Sequence, residues 1–508
     1  MSGDHDALLA ENVVFRYFKN GKRNILDHTN FRVREHTITV LMGKSGCGKS
    51  TLAAASCGLL PEDGGVLEEG RILLFGRDIH DMSISGRAQE ASMMFQNPDL
   101  QFCMNTLRDE GRFCLGNLSV RPEEMDRRIE EAAERLEMTS FLDRNFHSLS
   151  GGEKQKAVLT CLFLMNSRLL ILDEPFANLD PVSAGEIVGM LRHVKEAGRT
   201  ILVIDHRADY WLQDADEIQI LTDGGKVAAD GITKDNIASY AALFEKEGVF
   251  CPAVETHQIR SPEKSTQGDI AIRMTNLSVP RNKTKKDAEP LFTSGDFRLA
   301  KGSVTALLGR SGCGKTSLLL TLLKEHVYSG TIIINDRMLD QVKKKDLYRE
   351  TGIVFQNPSD QFVTQNVEEE VLASLRWWDK SLSDDTLRSR SGELLAAFGL
   401  EKYRRYSPYM LSQGQQRRLA VIAALSGGQR ILLLDEPTYG QDHDATYAVM
   451  KAICKKAEQE GLTVLFTTHD TALANEFAEN VWVIRNRRLM ELPAGSVSPA
   501  DLIREEEA

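Results

Sequence analysis

Two tandem α/β domains, each on a mainly parallel sheet, are predicted from three observations. The pattern G-x-x-x-x-G-K-[ST] occurs twice, as GKSGCGKS from Gly43 to Ser50 and GRSGCGKT from Gly309 to Thr316. Matching residues recur at offsets of 260 to 266: Lys49 with Lys315, Gln96 with Gln356, Ser150 with Ser412, Glu174 with Glu436, His206 with His469. Such a period marks homologous halves. Third, the strand candidates are short continuous apolar runs, which suit a parallel sheet covered on both faces.

Composition sets the outer bounds. The 508 residues are 42% hydrophobic and 27% charged, as in folded globular protein with room for two to four domains. A net charge of −11 argues against a broad nucleic-acid surface, so no nucleic-acid partner is expected. The longest apolar run, Ala157 to Met165, is far short of a bilayer span, and MSGDHDALLAENVVF lacks the features of a secretory signal, so a cytosolic location is expected. Eight scattered cysteines form no C-x-x-C pair, which supports neither a disulfide framework nor a zinc site.

Along the first half, ITVLMG (Ile38 to Gly43) reads as the strand feeding the glycine loop, with a helix-forming run after it. Strand, glycine loop and helix confirm a phosphate-binding loop, because the helix N-terminus is aimed at the anion. Its glycines let backbone N–H groups close on phosphate oxygens, while lysine and hydroxyl serve the terminal phosphates and Mg²⁺. Cys47 and Cys313 fit as small residues at a tight turn. Arg121 to Leu142 reads as an amphipathic helix, so a helical subdomain is expected between the loop and the strands LLILD (Leu169 to Asp173) and TILVID (Thr200 to Asp205). Cys251 to Gly268 is rich in Pro, Ser, Thr and charge and reads as a linker between domains 1–250 and 269–508. In the second half SVTALLG (Ser303 to Gly309), ILLLD (Ile431 to Asp435) and TVLFTT (Thr463 to Thr468) are the matching strands, and Ser383 to Leu400 the matching helix.

Each of LLILD and ILLLD ends in an acidic pair followed by proline, Asp173–Glu174 and Asp435–Glu436. The aspartate can hold Mg²⁺ through water and the glutamate can polarise a water against the γ-phosphate. Alone, such a pair is equally an ordinary helix cap. Its place 124 and 120 residues after Lys49 and Lys315 favours the chemical role.

With LSGGEKQK (Leu149 to Lys156) and LSQGQQRR (Leu411 to Arg418) added, nearly the whole chain resembles the ATP-binding cassette (ABC) ATPases. The resemblance implies, in each half, a RecA-like mainly parallel core of P-loop NTPase type with an antiparallel β subdomain and an inserted helical subdomain. It implies ATP and Mg²⁺ as cofactors. The nucleotide would be held by Gly43, Ser45, Gly46, Cys47, Gly48, Lys49, Ser50 and Thr51 and by Gly309, Ser311, Gly312, Cys313, Gly314, Lys315, Thr316 and Ser317. The implied metal sets are Ser50, Gln96 and Asp173, and Thr316, Gln356 and Asp435; the implied catalytic groups are Glu174, His206 and Gln96, and Glu436, His469 and Gln356. In the family the signature motif binds the γ-phosphate held by the opposite half. Ser412 and Gly414 would therefore complete the Lys49 site, and Ser150, Gly151 and Gly152 the Lys315 site, so a homodimer is not required. Tyr17 is placed like the family's adenine-stacking aromatic, or is an ordinary strand aromatic; NLSVPRNK (Asn276 to Lys283) has no aromatic, so adenine there must be held otherwise. Gln413 replaces a signature glycine and YGQD departs from the ANLD at Ala177 to Asp180, so two hydrolysing sites of unequal rate are expected.

FQNPDLQF (Phe95 to Phe102) and FQNPSDQF (Phe355 to Phe362) resemble the ATPases of energy-coupling factor (ECF) importers, in which the segment ending at Gln101 or Gln361 is a short helix beside the groove that receives a membrane subunit. LSQGQQRR with DEPTYGQD looks like their fused double ATPases, including those importing thiamine precursors. The implied partners are a membrane-embedded coupling subunit and a substrate-binding subunit, at the cytoplasmic face of the cell membrane. Asp99 and Asp360 are candidates for meeting basic partner helices or are merely solvated; Trp377 and Trp378 are partner anchors or helix packing. The alternatives are a conventional ABC importer of peptides, amino acids or metal ions, and a soluble double-cassette translation or nucleic-acid factor. Against the last stand the short linker, which is not strongly basic, and the absence of clustered cysteines.

Overall fold

In the first half the predicted apolar runs form a six-stranded sheet in the order Lys226–Ile232, Glu217–Thr222, Ile38–Met42, Thr200–Ile204, Leu169–Asp173, Ala91–Met94. All neighbours are parallel except the first pair. Every residue of Ile38–Met42, Leu169–Asp173 and Thr200–Ile204 is buried, so these strands have no solvent face. Alternation along them sorts side chains into two cores. Val40, Leu170, Leu172 and Val203 join the helical side, while Leu41, Ile171, Leu202 and Ile204 join the core beneath an antiparallel sheet. Each such side chain contributes about 1.5–3 kcal/mol on burial.

These are features of a computed structural model describing residues 5–19, 21, 23–62, 64–176, 179, 181–249, 251, 269–285, 289–438, 443–498 and 501–502. The chain divides into two compact units, Met1–Thr256 and His257–Ala508. The predicted linker beyond Cys251, the YGQD segment, ANLD apart from Leu179, and the terminal REEEA lie outside the described residues.

The antiparallel sheet of the first unit centres on Asp6–Arg16, flanked by Leu26–Arg34 and Val66–Leu74. Its register shifts around Asn12, which has φ 52°. The partner strand there carries Gly70, where a Cβ would come within 2.4 Å of the Asn12 carbonyl oxygen. The second unit repeats this bulge with Asn276 (φ 49°) opposite Gly330. There the antiparallel and parallel parts belong to one sheet, joined by a parallel pairing at Thr293 and Arg488. Its parallel strands Val304–Gly309, Thr463–Thr467, Ile431–Leu434 and Thr351–Val354 are split into two faces in the same way.

A helical layer is inserted in each unit, of Leu107–Asn117, Pro122–Arg135 and Gly151–Met165 in the first and Val367–Trp378, Asp384–Ala397 and Gln413–Leu425 in the second. Two of these helices are shorter than the sequence predicts. The expected Arg121 to Leu142 helix spans Pro122–Arg135 and is broken by left-handed Glu137. The expected Ser383 to Leu400 helix spans Asp384–Ala397, with the Ser383 side chain accepting from Thr386 N–H as cap and left-handed Gly399 beyond its end. Apolar periodicity continues past both ends because the short segments that follow still pack on the core.

Candidate nucleotide sites

Each glycine loop leaves the C-terminal end of a buried strand and turns directly into a helix, Lys49–Ser56 or Lys315–Leu322. The N-cap residues are Gly48 (φ 112°) and Gly314 (φ 115°), a backbone region that side chains with a Cβ rarely enter. Gly43 adds a steric demand, since a Cβ there would lie 2.0 Å from the Leu221 carbonyl oxygen. Lys49 Nζ donates to the carbonyls of Gly43 (2.7 Å) and Lys44 (2.9 Å), and Lys315 Nζ to those of Gly309 (2.7 Å) and Arg310 (3.2 Å). Both ammonium groups thus lie across their loops, where charge and backbone N–H groups converge on one anion position.

In the second unit a cavity of about 150 Å³ is bordered by Ser311, Gly312, Gly314, Lys315, Thr316, Ser317, Gln356, Asp435, Glu436 and His469. These include most of the Lys315-site residues expected from the sequence of that unit, gathered from two strand ends and two loops. Thr316 Oγ1 donates to Asp435 Oδ2 at 2.7 Å, and Thr467 Oγ1 to Asp435 Oδ1 at 2.7 Å. In the first unit Ser50 bonds to Asp173, whose Oδ1 is buried without a hydrogen-bond partner. Burial, with the neighbouring Glu174 charge, pushes the Asp173 carboxyl up to about 6. A buried carboxylate oxygen without a donor, beside the Ser50 hydroxyl, is hard-oxygen chemistry that fits Mg²⁺.

The two glutamates share an unusual backbone. Glu174 has φ 51° and Glu436 φ 52°, a left-handed conformation that costs a non-glycine residue of order 1–3 kcal/mol. Strand hydrogen bonding holds it: Glu174 N–H donates to Ile204 O and Glu436 N–H to Thr467 Oγ1, each at 2.9 Å. Gln96 Nε2 donates to Glu174 Oε2 at 2.5 Å, and His206 Nε2 lies 2.7 Å from Oε1. Burial raises the Glu174 carboxyl, but His206, Lys49 and the Gln96 bond outweigh it and hold it below its usual range. At Glu436 the same opposition, with His469 3.0 Å away and Lys315 and Arg417 nearby, takes the carboxyl down to about 2. Both carboxylates therefore stay ionised, next to a histidine and the loop lysine.

Ser150 and Ser412 are exposed N-caps, each in a reciprocal capping box, with Glu153 and Gln415 respectively. Gly151 and Gln413 follow at the exposed helix start, Gly414 is half-buried, and Gly152 is buried against Leu179. Tyr17 follows its strand directly, is 46% exposed, and its hydroxyl is 3.0 Å from Thr51 Oγ1, beside the glycine loop.

Three features were not read from the sequence. Arg417 is buried and donates to the backbone oxygens of Glu436 and Gln356, tying the signature helix to both segments; Gln155 occupies the matching place in the first unit. The signal was present as a charge on an otherwise buried helix face. Asp205, before His206, accepts from the N–H groups of His206 (2.6 Å) and Arg207 (3.1 Å) and from Trp211 Nε1 (2.8 Å), while burial pushes its carboxyl up to about 6. The F-Q-N-P segments are self-closed loops. Asn97 Oδ1 accepts from Asp99 N–H at 3.1 Å and Gln101 Oε1 from Phe95 N–H at 3.2 Å, with Asn357 and Gln361 matching them at 3.3 and 3.1 Å. The short helices that the resemblance implied, ending at Gln101 and Gln361, are 3₁₀ turns within these loops, Pro98–Leu100 and Pro358–Gln361.

Residues 26–177 and 292–439 match the family model described as ABC transporter. The chain belongs to the ABC transporter family. It is accordingly an ATPase whose cassettes bind ATP with Mg²⁺. A Bacillus subtilis (strain 168) protein named "Putative HMP/thiamine import ATP-binding protein YkoD" is 34% identical over all of this chain and 94% of its own length. A Methanosarcina mazei protein named "Putative ABC transporter ATP-binding protein" is 30% identical over 98% of this chain and 91% of its own. Among solved structures, "RNase-L Inhibitor" aligns with TM-score 0.64 at 21% identity, over 95% of this chain and 90% of that one. "Model of ribosome-bound archaeal Pelota and ABCE1" gives 0.70 at 20% identity, over 95% and 78%. At these identities the structural likenesses speak to the fold.

Proposed function

We propose that this chain is the ATP-hydrolysing subunit of a membrane importer of ECF type, for a vitamin or related micronutrient, acting at the cytoplasmic face of the membrane. The observation that carries this reading is a largely apolar groove of about 570 Å³ in the first unit, between the F-Q-N-P loop and the helical layer. Gln101, Phe102, Phe113, Leu118 and Met165 line it, and Ile84 and Leu100, 72% and 78% exposed, stand at or near its edge. An apolar groove rimmed by exposed large side chains fits a partner's helix. In the second unit Trp377 is 66% exposed, which favours partner contact over helix packing for that residue. Asp99 pairs with Lys154 at 2.6 Å, whereas Asp360 accepts from the neutral Asn357 amide at 2.9 Å and keeps its charge for a basic partner. No helix among the described residues is long and apolar enough to cross a membrane. The name of the Bacillus relative favours a thiamine-related cargo.

In the mechanism that follows, Lys49 and Lys315 with their loop N–H groups grip the phosphates, and Glu174 and Glu436 accept the proton of the attacking water. His206 and His469 fix those carboxylates, Gln96 links Glu174 to its F-Q-N-P loop, and Arg417 ties the Glu436 and Gln356 backbones together in the second unit. Ser50, Asp173 and Gln96, and Thr316, Asp435 and Gln356, would hold Mg²⁺, which when bound neutralises phosphate charge. Domains 1–250 and 269–508, joined by 251–268, close head to tail on two ATP molecules, with Ser412 and Gly414 completing one site and Ser150, Gly151 and Gly152 the other. Affinity purification of the full chain from detergent-solubilised membranes tests this reading. Two polytopic membrane proteins are expected to co-purify; recovery with ribosomes and no membrane protein overturns it.

A further inference from the structure

The second unit lacks the aromatic that Tyr17 supplies in the first, and its geometry shows what stands there instead. The two bulges set the register: Asn12 and Asn276 are both left-handed, and five residues later Tyr17 and Arg281 are each the first residue beyond the strand. Arg281 borders a cavity of about 170 Å³ at the edge of the second glycine loop, with Arg310, Arg485 and Arg487 around it and Leu291 and Cys313 also in its wall. Arg487 pairs with Glu289, and Arg485 donates to the Asp501 carbonyl oxygen. The side chains of Arg281 and Arg310 have no acidic partner among the described residues. At the first loop Lys44 stands where Arg310 does, but an acidic residue, Asp223, lies close to Cys47.

We propose that this cavity receives the base of the nucleotide held by the second loop, with the Arg281 guanidinium stacked on its face, and that this site takes guanine as well as adenine nucleotides. The proposal rests on the nucleotide-site reading above. A planar guanidinium stacks on an aromatic face much as a tyrosine ring does. Arginine side chains donate and never accept. A rim of arginines therefore suits the O6 and N7 acceptors of guanine at least as well as the N7 acceptor and N6 amino donor of adenine.

The test uses the full chain with the first loop disabled by Lys49→Ala, titrated with fluorescent N-methylanthraniloyl derivatives of ATP and of GTP. The two affinities are expected to agree within about threefold, and Arg281→Ala to weaken both by about tenfold, the size of one stacking contact. Arg281→Tyr, which restores a stacking face while Arg310 stays in the rim, should restore both nucleotides, and Arg281→Met, similar in bulk but without a planar face, should restore neither, a pair of outcomes that a merely structural role for Arg281 does not produce. ATP binding indifferent to Arg281→Ala, or GTP more than about thirtyfold weaker than ATP before that change, overturns this proposal alone. Loss of all nucleotide binding in the Lys49→Ala protein overturns the second nucleotide site and the proposal with it.

Discussion

The two units carry the same motifs in the same order, yet they hold their glutamates by different means. Glu174 has both carboxylate oxygens engaged by neutral or titratable groups, Gln96 and His206. Glu436 has His469 beside it, Lys315 near that histidine (Nζ to Nε2 3.3 Å), and the buried Arg417 guanidinium on its own backbone oxygen. More positive charge holds Glu436 as a carboxylate more firmly and makes it the weaker base. On the opposite side of the balance, Gln413 stands at the exposed start of the helix proposed to complete the Lys49 site. Duplication has preserved the positions while the electrostatics around them diverged.

The largest expected effect comes from removing what the units share. Glu174→Gln and Glu436→Gln together should lower ATP turnover by at least about a hundredfold, the usual weight of a general base, and trap ATP in the protein. Undiminished hydrolysis would remove both glutamates from the chemistry. Next comes the buried guanidinium. Arg417→Gln gives the second unit the residue of the first but strips donors from two backbone oxygens, so a loss of about 1–3 kcal/mol in unfolding free energy is expected from denaturant melts. Gln155→Ala, which removes no charge, should cost less, and equal losses would show that Arg417 has no special part. The smallest effect is the inequality itself. Lys49→Ala and Lys315→Ala, assayed separately for phosphate release, should leave residual rates differing by about threefold. Equal residual rates would mean that the different surroundings of Glu174 and Glu436 cancel.

The sequence was most legible where chemistry demands particular residues at fixed spacing. The glycine loops, the acidic pairs and the apolar strands were all readable because each is a local pattern: glycine for a left-handed turn, apolar runs for strands buried on both faces. Helix ends were less so. Apolar periodicity ran on past Arg135 and Ala397, although Glu137 and Gly399 turn left-handed just beyond. For Arg417 the sequence showed a charge on an apolar helix face but not what it holds, because its partners are backbone oxygens 19 and 61 residues away.

By itself, then, the sequence determined that there are two glycine loops in homologous units and assigned candidate residues to each, since these follow from residue type and spacing. Tertiary structure alone decided the left-handed backbone of Glu174 and Glu436, the buried arginine tie and the arginine-walled cavity at the second loop. Those depend on which distant strands, turns and carbonyls are brought together, and no local pattern encodes that convergence.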